Sequence, residues 1–280
     1  MRKYKYLIIL VLVLSLIYVG YLSLSRFVGK NQWTPSMAEP KATLFSEIKW
    51  GFMGIGLHKA DEKEEYDFDS GFTNFCIRNN KIYIADTVKS ELTVFENNKL
   101  IMSYRYPPDI FIKDLGLTVS NNFSFIFAQG GYLSKLDLKT GEYALRKLAL
   151  SSADSKILVK NWYTIYMLDD VIVLNDSLYM NKCFATQDLS EVPCPFKSRR
   201  DASNKSLFIY LKDGYYAGIK SGSDVWLYNA NDKIIGRVMG IDRDKLLYDM
   251  RRSYQIDLDG VYYVGHTDSG VKIYFKAWQR

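Results

Sequence analysis

From residue 42 to the C-terminus, apolar and polar residues alternate in short runs of four to eight, bounded by Asn, Asp, Gly and Ser. A period of two punctuated by turn formers predicts β-strands and hairpins. No stretch carries the spacing of an amphipathic helix. Residues 50–101 show the pattern most fully: a loop with Gly54 and Gly56, an acidic passage, then strands starting at Phe72, Lys81 and Glu91. Before residue 42 the pattern changes. Residues 6–24 form an uncharged apolar run, which as a helix would cross about 30 Å of hydrocarbon.

Arg2, Lys3 and Lys5 precede that run, so the positive-inside bias keeps residues 1–5 cytoplasmic and sends the remainder across. Arg26 and Lys30 weaken the bias without reversing it. A cleaved signal peptide has a shorter apolar core with a small-x-small site close behind. Ser36-Met37-Ala38 has that chemistry but lies about a dozen residues too late, so the run reads as an uncleaved anchor. No Cys follows it, which argues against a lipoprotein anchor. Residues 25–41, with Gly29, Pro35 and Pro40 and no periodicity, read as a tether. The expected organisation is a basic tail (1–5), a transmembrane anchor (6–24), a linker (25–41) and a β-domain (42–280).

Strands of one type begin at Lys81, Phe123, Thr164, Leu207 and Val261. The first four are about 42 residues apart and the last about 54 further on, the range of a four-stranded propeller blade with one insertion. Hairpin turns follow at Asn97-Asn98, Thr140-Gly141 and between Asn229 and Asp232, residues that tolerate φ > 0 or bond their own backbone. The third unit is the least regular, with strands at 171–174 and 177–180 around Asn175-Asp176. The last unit ends at Trp278 with little chain left, while residues 43–50 form an orphan strand at the other end. Pairing the two completes a blade and closes a ring that has no open ends. The expectation is an all-β β-propeller of five to six four-stranded blades, closed by the N-terminal strand and preceded by one transmembrane helix. Six blades require further strands within 237–259. A β-sandwich or a solenoid is the rival.

Trp50-Gly51, Gly54, Gly56, Phe68, the strand Ile82-Tyr83-Ile84-Ala85-Asp86-Thr87 and Val94-Phe95 together resemble an NHL repeat. Two features depart from it: Asp69-Ser70-Gly71 stands where the entry Pro is usual, and Asn80 replaces the usual Gly before the Tyr strand. The likeness covers one unit, about a fifth of the chain. It implies a six-bladed ring that binds proteins or, in some members, carbohydrate or RNA. Related six-bladed rings of the gluconolactonase and strictosidine synthase kind are metal-dependent or lyase-like enzymes.

Composition fits strands: 22 Tyr and 15 Phe among 280 residues. The net charge of +6 is misleading, because the first thirty residues hold five basic groups and no acid. The remainder is nearly neutral and offers a nucleic acid no electrostatic footprint. The small basic clusters, Lys197 with Arg199-Arg200 and Arg251-Arg252, read as loop faces. Alternating aromatics in strands read as core before they read as a stacking surface.

Chemistry is sparse. His58 and His266 are far apart, and no paired Cys-x-x-Cys or His-x-x-x-His spacing suggests zinc. No nucleophile elbow or phosphate loop is present. The acidic run Asp61, Glu62, Glu64, Glu65, Asp67 and Asp69 lacks the ordered Ca²⁺-loop pattern and reads as a solvated loop. Asp86 reads as a turn residue, with a channel Ca²⁺ ligand as the other reading. Cys183 and Cys194 flank a turn-rich segment. They are either two thiols or, outside the cytoplasm, a hairpin disulfide worth about 2–3 kcal/mol. Cys76, between apolar neighbours, reads as a buried thiol. No catalytic, cofactor-binding or metal-ligating residue is assigned. The functional expectation is a membrane-anchored extracytoplasmic propeller, in the periplasm or at the cell surface, that binds a protein or an envelope glycan and needs no cofactor. The alternative is a lactonase-like or lyase-like enzyme with Ca²⁺ in its channel.

Overall fold

The structure is a computed structural model that describes residues 40–49, 51, 53, 54, 56, 72–86, 88–106, 114–128, 131–148, 164–175, 181–196, 207–219, 224–239, 254–267 and 269–280. The apolar run 6–24, His58 and the acidic run 61–69 lie outside these residues. Among the described residues no helix is long and apolar enough to cross a membrane.

The described residues form five four-stranded antiparallel sheets. The first strand, β1 (Thr43–Lys49), belongs to the last sheet. Blade 1 is β2 (Phe72–Arg78), β3 (Lys81–Asp86), β4 (Glu91–Glu96) and β5 (Lys99–Arg105). Blade 2 is β6 (Asp114–Val119), β7 (Phe123–Ala128), β8 (Tyr132–Asp137) and β9 (Tyr143–Lys147). Blade 3 is β10 (Thr164–Leu168), β11 (Val171–Asn175), β12 (Asn181–Ala185) and β13 (Glu191–Val192). Blade 4 is β14 (Leu207–Tyr210), β15 (Tyr216–Ile219), β16 (Val225–Tyr228) and β17 (Ile234–Val238). Blade 5 is β18 (Tyr254–Ile256), β19 (Gly260–Thr267), β20 (Gly270–Ala277) and then β1.

Alternation explains the arrangement. Successive side chains of a strand point to opposite faces. In β3, Ile82 and Ile84 enter the core shared with blade 5, while Tyr83 and Ala85 enter the core shared with blade 2. In β7, Ile126 faces blade 1, and Phe125 and Phe127 face blade 3. In β11, Ile172 and Leu174 face blade 2, and Val173 faces blade 4. Blades 4 and 5 share a core built on Leu227, Val261 and Trp278. Five hydrophobic clusters therefore occupy five interfaces, and the fifth joins blade 5 to blade 1 through Ile48, Phe75, Val271 and Ile273. Both faces of the middle strands are buried, which is why those strands read as almost continuous apolar runs. The turns are built for tight return. Asn79-Asn80 and Asn97-Asn98 all have φ between 50° and 64°, the geometry of two-residue hairpin loops.

Two expectations are corrected. The ring has five blades and not six: blades 4 and 5 share one core directly, and the strand found within 237–259, β18, is the innermost strand of blade 5. The repeat alignment was also out of step. Lys81, Phe123 and Val261 lie on second strands, but Thr164 and Leu207 open innermost strands. The second strands begin at residues 81, 123, 171, 216 and 260, that is 42, 48, 45 and 44 residues apart, and the apparent insertion disappears. First and second strands are both buried on two sides, so residue pattern does not distinguish them. In blade 3 the strand returning from β11 is β12 at 181–185; residues 176–180 lie outside the described set.

Closure uses both ends of the described chain. β1 pairs antiparallel with β20, from Thr43 opposite Phe275 to Lys49 opposite Gly270. Asn98 of blade 1 accepts hydrogen bonds at Oδ1 from the Ser46 hydroxyl (2.6 Å) and the Glu47 N–H (3.3 Å). At the C-terminus, Gln279 exchanges backbone hydrogen bonds with Arg237 of β17 (3.0 and 2.9 Å). A Cβ on Gly270 would stand 2.1 Å from the Ile48 carbonyl oxygen, a backbone atom that cannot step aside without parting the strands. Gly270→Ala is expected to cost about 2–3 kcal/mol and to lower the melting temperature by roughly 5–10 °C. Unchanged thermal unfolding followed by circular dichroism would show that the latch does not carry the ring.

Candidate functional site

The innermost strands β2, β6, β10, β14 and β18 each pair on one side only, so their other edges face the axis. Their C-terminal halves, with the first turn residues beyond, enclose a central cavity of about 570 Å³. That volume suits a ligand or an inserted side chain. All five blades contribute to it, so the site exists only in the closed ring.

The wall is mixed. Arg78, Asp169, Lys212 and Asp257 bring two charges of each sign, so the mouth has no dominant field. Arg78 Nε donates to Asn121 Oδ1 (3.1 Å), tying blade 1 to blade 2. Gln255 bridges blades 5 and 1: its Oε1 accepts from the Ile77 N–H (2.5 Å), and its Nε2 donates to the Ile77 carbonyl (2.8 Å) and to Asp257 Oδ2 (3.1 Å). The Tyr166 hydroxyl accepts from the Tyr210 N–H (3.2 Å), joining blades 3 and 4. Burial pushes the Tyr166 phenol far up, against the opposing pull of that bond. Burial likewise pushes the Cys76 thiol up to about 12, opposed by a hydrogen bond from the Val119 backbone. Cys76 is therefore a protonated thiol and a poor nucleophile.

Cys183 and Cys194 are joined by a disulfide, Cα–Cα 5.2 Å, across 11 residues. It spans the weakest outer strand: β13 has two residues and pairs with β12 at only two positions. Phe196, two residues beyond Cys194, stacks on Tyr210 of the cavity wall, centroids 3.8 Å apart and planes at 15°. The bridge thus holds the short strand and the ring that backs the wall.

Asp86 is remote from the cavity wall. It is fully buried; its Oδ2 accepts from the Gly56 N–H (2.6 Å) and its Oδ1 from the Lys89 N–H (3.0 Å). Lys89 Nζ donates to the Gly54 carbonyl (2.5 Å). A Cβ on Gly56 would meet Val88 at 2.7 Å and Asp86 Oδ1 at 2.9 Å, so only glycine fits there. Desolvation raises the Asp86 carboxyl above 3.8 despite these bonds. His266 lies on β19. Lys197, Arg199, Arg200, Arg251 and Arg252 lie outside the described residues.

A channel Ca²⁺ would need several oxygen donors converging on the axis. Among the described residues the lining brings two carboxylates, Asp169 and Asp257, and no group of three His, Cys, Asp or Glu gathers anywhere. This donor set does not fit the metal. Sequence reasoning missed Arg78, Gln255 and Asp257. Each sits where an innermost strand runs into its first hairpin turn, a position that becomes legible only once the innermost strands are known.

No family model and no curated protein matches the sequence. Several solved structures are similar. A computationally designed protein, Ika8, is 12 % identical, with 74 % of this chain and 59 % of that chain covered and a TM-score of 0.39. BamB from Moraxella catarrhalis is 14 % identical, with 74 % and 56 % covered and a TM-score of 0.36. The chain therefore spans a little over half the length of each. Myxococcus xanthus glutaminyl cyclase is 10 % identical, with 75 % and 91 % covered and a TM-score of 0.47. Likeness at this level does not extend to what those proteins bind or catalyse.

Two outcomes follow from the site. Replacing both Cys183 and Cys194 by Ser is expected to cost about 2.5–3 kcal/mol for a loop of this length, read as a lower urea midpoint; equal midpoints would show that β13 needs no clasp. Burial, opposed by the Gln255 bond, raises the Asp257 carboxyl above 3.8. A raised folded-state value means the folded protein holds that proton more tightly, so the group favours folding below 3.8 and this contribution is lost as pH rises through the folded value. The stability of Asp257→Asn relative to the parent should therefore increase as pH rises from 3.8 through the raised folded-state value. A difference that stays flat across urea titrations would contradict the burial argument.

Proposed function

We propose that this chain is a single-pass membrane protein whose extracytoplasmic five-bladed propeller is an interaction module for a protein or an envelope glycan. The observation that carries the reading is the central cavity: a closed ring supplies a wall of backbone edges, a balanced set of charges and partly exposed aliphatic groups. Its wall holds no three-donor metal cluster among the described residues, and its one thiol is held protonated. These are recognition groups presented by a rigid scaffold.

The topology rests on the sequence. Residues 1–5 form the cytoplasmic tail, 6–24 the anchor, 25–41 the tether and 42–280 the propeller. The Cys183–Cys194 bridge supports an oxidising compartment, where such bonds persist. Residues 50–101 are read as an NHL-like unit. The support is physical: Gly54, Gly56, Asp86 and Lys89 form one hydrogen-bonded staple, which accounts for paired glycines and a distant Asp in one motif. The Ca²⁺-dependent lactonase-like or lyase-like alternative finds no supporting donor set among the described residues of the wall.

The test uses intact cells, or spheroplasts where there is an outer membrane. A photo-crosslinking residue at Lys212, at the cavity, is expected to give a discrete adduct with an envelope component. The same residue at Leu145, exposed on outer strand β9, is expected to give none. External protease should remove a C-terminal tag. A protected tag would overturn the topology, and equal labelling at both positions would overturn the site.

A further inference from the structure

The five innermost strands repeat one geometry. Ile77, Val119, Met167, Tyr210 and Ile256 each stand one residue before the position that closes the first hairpin, and all five line the cavity. One residue earlier stand Cys76, Thr118, Tyr166, Ile209 and Gln255, which line it too. In three of the five blade junctions the earlier side chain takes the backbone N–H of the next blade. Gln255 takes Ile77 (2.5 Å), Tyr166 takes Tyr210 (3.2 Å), and Cys76 takes Val119.

Among the described residues two junctions lack this bond. Between blades 2 and 3 the side chain is Thr118; its hydroxyl donates toward the Cys76 thiol, and among the described residues it accepts no N–H from blade 3. Between blades 4 and 5 it is Ile209, which has no polar atom. By the shared register, Met167 and Ile256 therefore present a backbone N–H and a carbonyl to the cavity without a side-chain bridge from any described residue. Backbone groups withdrawn from bulk water are almost always paired. Gln255 shows what fits such an edge: a carboxamide, the same group as a peptide bond, donating to the Ile77 carbonyl while accepting from its N–H.

On the reading of this site as an interaction module, we propose that its ligand is an extended peptide segment of a partner protein, whose backbone amides pair with the open edges at Met167 and Ile256. The remaining wall suits a peptide better than a sugar. A sugar needs an open aromatic face, yet Tyr210 is stacked on Phe196, and Phe75 lies within the core between blades 5 and 1. Tyr166 and Tyr254 pack against the core between blades 4 and 5. Met167, Leu211 and Leu258 instead offer half-exposed aliphatic contact between the two open edges. Met adapts readily to varied side chains. The balanced charges of Asp169, Lys212, Arg78 and Asp257 suit a chain that carries both signs.

The experiment uses the full chain in nanodiscs. Amide hydrogen exchange followed by NMR should show Ile77, Val119 and Tyr210 protected and Met167 and Ile256 exchanging at least tenfold faster. Protection of Met167 and Ile256 without ligand overturns the proposal. A random twelve-residue phage-displayed peptide library is then selected on the same protein, and the enriched peptides should slow exchange at both positions. Met167→Pro removes one open N–H at an unpaired edge, where proline is tolerated. It should weaken those peptides at least tenfold, while Leu145→Glu on the outer strand should not. Should Met167→Pro fail to fold, the exchange measurements on the parent still decide the matter. Peptides that bind but leave both amides unchanged overturn this assignment and leave the interaction module standing. Envelope oligosaccharides that protect the two amides, where no peptide does, overturn the peptide class alone. Failure of both the peptides and the oligosaccharides to bind overturns this proposal and the module reading together.

Discussion

The pairing of Thr43–Lys49 with Gly270–Ala277 is the interaction on which the rest of the structure depends. Every blade is buried on both faces against its neighbours. A row of such sheets left open would expose two apolar faces at its ends, and only a ring removes both. Residues from opposite ends of the chain supply one sheet between them, so the last interface cannot form until nearly all the chain is in place. The core of that interface, with Ile48, Val271, Ile273 and Val264 at 1 % exposure or less, is as dry as any in the molecule. Polar contacts reinforce it at two radii: Asn98 grips β1 near the rim, and Gln255 grips Ile77 at the axis.

Closure also creates the site. An innermost strand has a partner on one side only, and in an isolated sheet its other edge would be an association hazard. Arranged in a ring, five such edges face one another across the central cavity, and the hazard becomes a recognition wall. Among the described residues, side chains bridge three of these edges and not the other two. Binding groups and closing groups therefore share one position of the repeat, and the residue type at that position decides which role each blade takes.

Local devices compensate where the repeat is thin. Blade 3 has the shortest outer strand, and there a disulfide replaces ladder hydrogen bonds and seats Phe196 against Tyr210. At the start of blade 1 a buried carboxylate, Asp86, organises two loop segments that no strand holds. Both act on irregular chain beside regular sheet, where hydrophobic burial alone supplies little order.

The class of the fold was legible because it follows from local chemistry: two-residue alternation, Asn and Gly at the returns, and an orphan strand at one end of the domain matching an incomplete unit at the other. The turns at Asn97-Asn98 and Thr140-Gly141 and the closing pair β1–β20 could be named from residues alone. The blade phase and the blade count could not. First and second strands are equally apolar because both are covered on two sides, so Thr164 and Leu207 passed for second strands until pairing showed otherwise. The site was hidden for the same reason. Arg78, Gln255, Asp257 and Met167 are scattered along the sequence and carry no motif; they meet because five strand ends converge on an axis. Sequence by itself determined what each segment does with its own neighbours, since strand and turn preferences act over a few residues. The tertiary structure alone decided which edges face the axis and which of them stay open, because that depends on contacts between residues as distant as Ile77 and Gln255.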